Sequence, residues 1–222
     1  TLPVRLVPAE VTLRHYVDIF KPAAFGEASG QSTFVLALYN SLVVSIGATR
    51  VGMLLGTLAA YAFGRFNIPR KRALLQIVLG SQLLPAAALI IPLFRMLRSA
   101  GLLDTLLALI LAYSTFSLPL VIWIMTGYFQ SVPRELEEAA RMDGASRLGA
   151  FLHVALPLAI PGLAATAIFT LLNAWDEFFF SLIFPSTLSA KTVPVAIAEF
   201  VGRYVVNVNG MMAGGILAAV PP

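Results

Sequence analysis

Residues 105–133 read TLLALILAYSTFSLPLVIWIMTGYFQSVP and contain no aspartate, glutamate, lysine or arginine. A helix of about 20 apolar residues crosses the roughly 30 Å of hydrocarbon in a bilayer, so this stretch is long enough to span a membrane. Because the apolar runs are continuous, they favour an all-α polytopic transmembrane helical bundle over a β-barrel, whose strands alternate in short segments. Such runs predict four complete spans and the start of a fifth, over residues 36–62, 74–94, 105–128, 157–183 and 209–222.

The composition agrees with a chain embedded in lipid. Apolar residues make up 59% and charged residues 12% of the 222 residues, and the mean hydropathy is +0.86. Soluble domains are about 45–50% apolar and about 25% charged, so a typical cytosolic enzyme and a disordered chain are excluded. The net charge of +4 indicates basic inner loops and no nucleic-acid partner, because the basic residues lie between apolar runs. The absence of cysteine excludes disulfides.

The distribution of basic residues predicts the orientation in the membrane. Loops 64–72 and 129–155 together carry more lysine and arginine than loops 95–104 and 185–208. Inner loops are enriched in these residues, so the first pair is predicted to be cytoplasmic. Residues 1–35 mix proline, glycine and charge and are predicted to form an external segment that precedes the spans. Their own basic residues remove the excess when they are counted with the outer side.

Patterns for catalysis and metal binding are missing from the sequence. Neither lysine, Lys71 nor Lys191, follows a glycine, so there is no phosphate-binding Gly-Lys-Ser/Thr loop. His15 and His153 have no neighbours at metal-ligand spacing. The sequence therefore predicts no catalytic, cofactor-binding or metal site in this chain.

The longest internal polar stretch, residues 131–157, predicts a short helix, a turn and a second helix. Pro133 suits the first helical position, and Asp143-Gly144 is a turn dipeptide that ends the helix. Ser146 is positioned to cap the next helix, which Pro157 is expected to interrupt.

The first of these helices combines small residues with carboxylates. Glu137 and Arg141 have the i, i+4 spacing of a favourable helical ion pair. Ala139 and Ala140 lie beside Glu138, so the helix lacks the large apolar face that a helix lying on lipid needs. Small residues with flanking carboxylates favour insertion into a protein groove.

The segment Glu138-Ala139-Ala140, followed by Gly144 and then by Val154-Ala155-Leu156-Pro157, resembles the signature loop of permease subunits of ABC importers. Only Val154, in place of isoleucine, departs from that pattern. The resemblance implies that loop 129–155 is cytoplasmic and forms a coupling helix that docks on an ATPase subunit. It further implies that Glu138 faces a basic residue of the ATPase. The implied contact residues are Glu138, Ala139, Ala140, Met142, Asp143, Gly144 and Ala145.

Further motifs are similar to those of the sugar-type permeases of this family, although Asp176 stands where asparagine is more frequent. The family's plan has six spans, so residues 36–222 would form a permease domain that lacks the first span and the end of the last. The similar segments are Tyr39-Asn40-Ser41, Ala59-Ala60-Tyr61-Ala62-Phe63, Ile91-Pro92-Leu93-Phe94, Gly101-Leu102-Leu103-Asp104-Thr105, Asn173-Ala174-Trp175-Asp176-Glu177-Phe178 and Lys191-Thr192-Val193-Pro194-Val195.

The resemblance implies a permease subunit of an ATP-driven importer that moves a sugar or oligosaccharide into the cell by alternating access. The implied partners are a second permease subunit, two ATPase subunits that bind ATP and Mg²⁺, an external sugar-binding protein and membrane lipid. The implied location is the inner or plasma membrane. Residues that could line the sugar path are Tyr113, Trp123, Asn173, Trp175, Asp176 and Glu177.

Intramembrane charges leave another function open. Arg50 lies near the middle of a predicted span, where a charge is costly and is expected to face protein or water. It is either a pathway or interface residue or a structural arginine with a partner. Together with Asp176 and Glu177, it could form the relay of an ion-coupled secondary transporter, which would need no ATPase. A membrane subunit without any substrate path is a third alternative.

Overall fold

A computed structural model describes residues 12–20, 33–185, 187, 190–200 and 208–221. The described residues form helices and no strand, which confirms the all-α prediction. Most of the predicted external segment, residues 1–35, lies outside the described residues. The α-helices are α1 (Arg14–Asp18), α2 (Thr33–Arg65), α3 (Lys71–Gly80), α4 (Ala86–Ser99), α5 (Leu106–Ser131), α6 (Arg134–Met142), α7 (Arg147–Ala150), α8 (Leu156–Leu158), α9 (Ile160–Trp175), α10 (Phe179–Ile183), α11 (Val193–Ala198) and α12 (Val208–Ala218).

Three helical segments of the described chain are long and apolar enough to cross a membrane. They cover Phe34–Arg65, Leu106–Ser131 and Ile160–Ile183, where the sequence predicts spans. The last segment contains a break, because α9 ends at Trp175 and α10 begins at Phe179. Helix α12 lies where the fifth span is predicted. The boundaries of the permease domain stay a prediction.

The predicted span over residues 74–94 is sharply bent in the structure. The helical path through α3 ends at Leu83, and α4 leaves at a bend of 94°. Pro85 explains the break, since proline disfavours a helical conformation in the residue before it. Leu84 accordingly has extended backbone, with φ −71° and ψ 123°. The bent pair is either a broken span or a re-entrant loop.

Helices α2 and α5 pack with their backbones close together along a row of glycines on α2. A Cβ atom at Gly56 would lie 2.5 Å from Val121 Cγ1, and one at Gly52 would lie 2.6 Å from Ser117 Oγ. Small residues of this kind permit the close helix approach that is common in membranes. We call this α2–α5 contact the glycine seam, and its α2 residues are Gly47, Gly52, Gly56 and Gly64.

A buried aromatic cluster lies where α2 and α5 end. Phe129 of α5 and Phe151 both pack on the ring of Tyr61, with centroid distances of 5.5 Å and 4.4 Å. Phe129 and Phe151 are almost fully buried. Because these rings come from three parts of the chain, they hold the polar segment 131–157 against the ends of the two long helices.

Candidate functional site

The segment that follows α5 forms the predicted helix and turn. Helix α6 ends at Met142, and Gly144 follows with a φ of +96°. The Ala145 N–H donates to the Ala140 carbonyl at 3.0 Å, and the Gly144 N–H donates to the Arg141 carbonyl at 3.1 Å. This pair of bonds is the Schellman arrangement, which favours glycine at the left-handed position. The predicted turn at Asp143-Gly144 is confirmed.

The second helix begins as predicted, and its path is interrupted around Pro157 as predicted. The Ser146 side chain accepts a hydrogen bond from the Gly149 N–H at 3.0 Å and caps α7. Residues 151–155 widen into a π turn, and α8 carries the path through Pro157 only as far as Leu158, before a break at Ala159. A proline lacks an N–H and crowds the carbonyl four residues earlier, and a π turn relieves both effects.

The predicted ion pair between Glu137 and Arg141 is replaced by a long-range contact. Arg65 Nε donates to Glu137 Oε1 at 2.6 Å, and the Tyr61 hydroxyl donates to Glu137 Oε2 at 2.7 Å. The side chains of Arg65 and Glu137 are only 6% and 10% exposed. Glu137 lies on the face of α6 that meets α2, and Arg141 remains exposed. We call Tyr61, Arg65 and Glu137 the α2–α6 lock.

The lock residues were missed as functional candidates in the sequence. Their signal is the i, i+4 spacing of Tyr61 and Arg65 at the end of an apolar run. That spacing places an aromatic hydroxyl and a guanidinium on one helix face. Spacing alone does not reveal that the carboxylate between them comes from Glu137 in another helix.

The predicted ATPase-contact residues lie on the outer side of α6 and its turn. Glu138 and Ala139 are exposed, Ala140 and Ala145 are half-buried, and Met142 is 89% exposed. Asp143 and Gly144 are also exposed. The structure thus brings these residues together on one accessible surface of α6 and its turn. The α2–α6 lock holds the face of α6 that meets α2.

A basic cleft of about 300 Å³ lies between this helix and the end of α2. Arg147 packs against it, with its guanidinium carbon 5.9 Å from the centre of the Phe66 ring. Arginine outnumbers glutamate around the cleft, so it carries positive charge next to the exposed face of α6. The lining residues are Tyr61, Arg65, Phe66, Asn67, Arg134, Glu137, Glu138, Arg141 and Arg147.

Three of the six predicted sugar-path residues share a second cavity, of about 450 Å³, which is lined mainly by residues of α5 and α9. Tyr113, Asn173 and Glu177 line it together with Gln82 and Phe116. Gln82 was not predicted, although a lone amide shortly before Pro85 in an apolar run is a signal for it. Its side chain donates to the Phe116 carbonyl at 2.8 Å.

The other three predicted sugar-path residues do not line this cavity. Trp123 is 52% exposed and lines a separate groove on α5. Trp175 is buried, and its indole N–H donates to the Ala218 carbonyl at 3.1 Å. Asp176 is exposed where α9 ends. The structure therefore separates the predicted set into a cavity group and three scattered residues.

Glu177 also has a structural role. Its carboxylate accepts hydrogen bonds from the backbone N–H groups of Phe179 and Phe180, at 3.0 Å and 3.2 Å. It therefore satisfies free donors where α10 begins, as a capping carboxylate does.

The described part of the chain contains no ion site, neither around Arg50 nor among the histidine and acidic side chains that bind metals. Arg50 is exposed on α2 and forms no ion pair with a described residue. Among the described residues no three histidine or acidic side chains are grouped so that they could hold a metal ion.

The sequence of the chain is similar to those of known transport proteins. Residues 52–221 match the family model described as "Binding-protein-dependent transport system inner membrane component". The chain is 38% identical to the trehalose transport system permease protein SugB of Mycobacterium tuberculosis, over 98% of this chain and 77% of that protein. It is 33% identical to the sulfoquinovosyl glycerol transport system permease protein SmoH of Agrobacterium fabrum, over 99% and 74%. It is also 33% identical to the trehalose/maltose transport system permease protein MalG of Thermococcus litoralis, over 97% and 76%.

Solved structures show the same fold. A bacterial ABC transporter involved in the import of the acidic polysaccharide alginate aligns with a TM-score of 0.75 at 22% identity, covering 96% of this chain and 76% of that chain. The MetNI methionine ABC transporter in inward-facing conformations aligns with a TM-score of 0.65 at 19% identity, covering 84% and 88%. The ion-coupled alternative finds no support in these comparisons.

Proposed function

The chain belongs to the family of binding-protein-dependent transport system inner membrane components, and we propose on this basis that it is a sugar-carrying subunit driven by ATPase partners. It is a permease subunit of an ABC importer and lies in the inner membrane, as the sequence resemblance implies. The family transports and does not carry out bond chemistry.

The proposed substrate is a sugar or oligosaccharide. Relatives named for trehalose, trehalose/maltose and sulfoquinovosyl glycerol transport support a carbohydrate class. The cavity of about 450 Å³ supports it independently, because it combines the amides of Gln82 and Asn173 with the rings of Tyr113 and Phe116. Amide groups hydrogen-bond sugar hydroxyls, and aromatic rings contact the apolar faces of sugar rings.

The proposed assembly has two permease subunits that differ in sequence, two ATPase subunits and an external binding protein. ATP and Mg²⁺ would be bound by the ATPase subunits, in keeping with the missing Gly-Lys phosphate loop in this chain. Loop 129–155 would face the cytoplasm. The observation that carries this proposal is the exposed surface around Glu138 and Gly144, which presents small residues and a carboxylate on an anchored helix.

The proposed mechanism is alternating access. Closure of the two ATPase subunits on ATP displaces α6, and the spans rock between outward-open and inward-open states. ATP shifts the population of a bistable gate, as a ligand does when it binds one conformation more tightly. In this mechanism Glu138 pairs with a basic residue of the ATPase, and Ala139 and Ala140 let the two surfaces approach closely.

Reconstituted uptake tests the proposal. The complete assembly in vesicles is assayed with labelled trehalose, maltose and glucose, with and without ATP, for the unchanged chain and for Glu138→Ala. We expect ATP-dependent uptake of at least one sugar and its loss in Glu138→Ala. Glu135→Gln is the matched control, because Glu135 is an exposed carboxylate of the same helix outside the proposed contact. Uptake that continues without ATPase subunits would overturn the importer mechanism, and ATP-dependent uptake of none of the sugars would contradict the proposed substrate class.

A further inference from the structure

The α2–α6 lock joins two helices that are far apart in the sequence. Arg65 is the last residue of α2, and Glu137 lies in the first turn of α6, 72 residues later. Both carboxylate oxygens are used, one by Arg65 Nε and one by the Tyr61 hydroxyl. A carboxylate held at both oxygens by donors from one helix has little freedom to rotate or slide.

Burial strengthens this contact. The Arg65 and Glu137 side chains border the basic cleft but are only 6% and 10% exposed, so separating them would leave each charge largely buried without its partner. Breaking the pair inside the fold would leave an uncompensated buried charge. Helix α6 is thus expected to stay with the end of α2 when it is displaced.

The contact also continues from α2 into α5. The Tyr61 ring packs on Phe129 of α5 and on Phe151 of the π turn, at 5.5 Å and 4.4 Å. Farther along, Gly56 of the glycine seam leaves no room for even a methyl group against Val121. Interfaces packed this closely transmit displacement because they do not deform continuously.

We propose that Tyr61, Arg65 and Glu137 are positioning residues that make α6, α2 and α5 move as one body when α6 is displaced. The alternative route is the covalent connection Val132–Pro133, which would deliver the displacement to α5 alone. The inference rests on the proposed docking of α6 on an ATPase subunit. It adds a second task for the helix: Glu138 faces outward to the partner, and Glu137 faces inward to the spans.

Distance measurement in the whole reconstituted importer tests the proposal. The chain has no cysteine, so spin labels attach only at introduced sites. Labels at Glu135→Cys and Asn67→Cys report the separation of α6 from the end of α2, since both residues are exposed. We expect the same distance without nucleotide and after trapping with ATP and vanadate. A change of more than about 2 Å, the size of the helix shifts seen in switching proteins, would overturn the proposal.

The ATPase rate provides a second readout that does not depend on which sugar is carried. In Glu137→Ala we expect the stimulation of ATPase activity by the binding protein to fall at least about fivefold, within the usual range of coupling between sites. The label distance should broaden in the same variant. Glu137→Gln keeps one acceptor oxygen but replaces the other by an NH2 donor and removes the charge, so it should be intermediate. Arg65→Glu combined with Glu137→Arg should recover part of the stimulation.

Each remaining outcome is decisive. Full stimulation in Glu137→Ala with an unchanged label distance would overturn the positioning role. Where Glu137→Ala fails to assemble, the distances in the otherwise unchanged chain decide. ATPase-independent uptake would instead contradict the proposed function and leave the geometry of the lock untouched. Glu135→Gln is the control and should retain full stimulation.

Discussion

At its first turns α2 holds the segment before α11 with neutral hydrogen bonds, whereas at its last turn it holds α6 with a buried ion pair. The Asn40 amide donates to the Lys191 carbonyl at 2.9 Å, and the Ser41 hydroxyl accepts from the Val193 N–H at 2.8 Å. At the other end of α2, the Arg65–Glu137 ion pair holds α6. One helix therefore holds two distant segments of the chain, one by neutral hydrogen bonds and the other by an ion pair.

This difference determines how much stability a substitution removes at each end of α2. A neutral hydrogen bond contributes about 0.5–1.5 kcal/mol net to stability. At the end of α2 near Asn40, more than one such bond contributes, so the loss of any one is small. Removal of one partner of a buried ion pair costs about 3–5 kcal/mol, because the other charge is left without compensation. A single substitution near Arg65 is therefore expected to cause a large loss of stability. A single substitution near Asn40 is expected to cause a smaller loss.

The largest expected effect comes from breaking the ion pair. Glu137→Ala should lower the free energy of unfolding by about 3–5 kcal/mol, since Arg65 stays buried with its charge unpaired. Thermal unfolding of the detergent-solubilised protein measures this loss. The double variant Arg65→Ala/Glu137→Ala should be more stable than the sum of the single losses predicts. Simple additivity of the two losses would show that the residues do not act as a pair.

The glycine seam lies between the two ends and should show the next effect. Gly56→Ala places a methyl group 2.5 Å from Val121 Cγ1, and overpacking of this kind costs about 1–3 kcal/mol. Gly127→Ala is the matched control, because nothing lies within 4 Å of its Cβ position. The control should keep or raise the melting temperature. Equal melting temperatures for the two variants would mean that the helices are not in close contact.

Ser41→Ala weakens the neutral end. It leaves the Val193 N–H buried without an acceptor, at a cost of about 1–2 kcal/mol within the range for unsatisfied groups. Because Asn40 still holds Lys191, we expect a smaller drop in melting temperature than for Glu137→Ala. The ATPase stimulation by the binding protein should stay close to normal. A loss as large as that of Glu137→Ala would remove the contrast between the two ends.

The smallest expected effect concerns the turn at Gly144, which follows α6. Gly144→Ala should cost about 1 kcal/mol, because alanine tolerates the φ of +96° poorly while no neighbouring atom obstructs its methyl group. Binding of the ATPase subunits to the variant complex measures the consequence, and a modest weakening is expected. Unchanged binding together with unchanged stability would show that the turn relaxes without cost.

Much of the architecture could be predicted from particular residues. The uncharged run at 105–133 marks α5, and Gly144 and Ser146 mark the turn and the helix cap around the candidate site. Pro85 and Pro157 lead to different structures, since the path bends sharply at the first and forms a π turn before the second. The neighbouring backbone decides between these outcomes, and periodicity does not report it.

The sequence by itself determined the membrane setting, the helical class and the family, because hydrocarbon thickness and a motif with fixed spacing act within short segments. Only the tertiary structure decided that Glu137 faces α2 and Glu138 faces outward, and that Tyr113 and Asn173 share a cavity while Trp123 does not. The physical reason is that a helical spacing assigns residues to faces, whereas the identity of the opposing face depends on how distant helices pack.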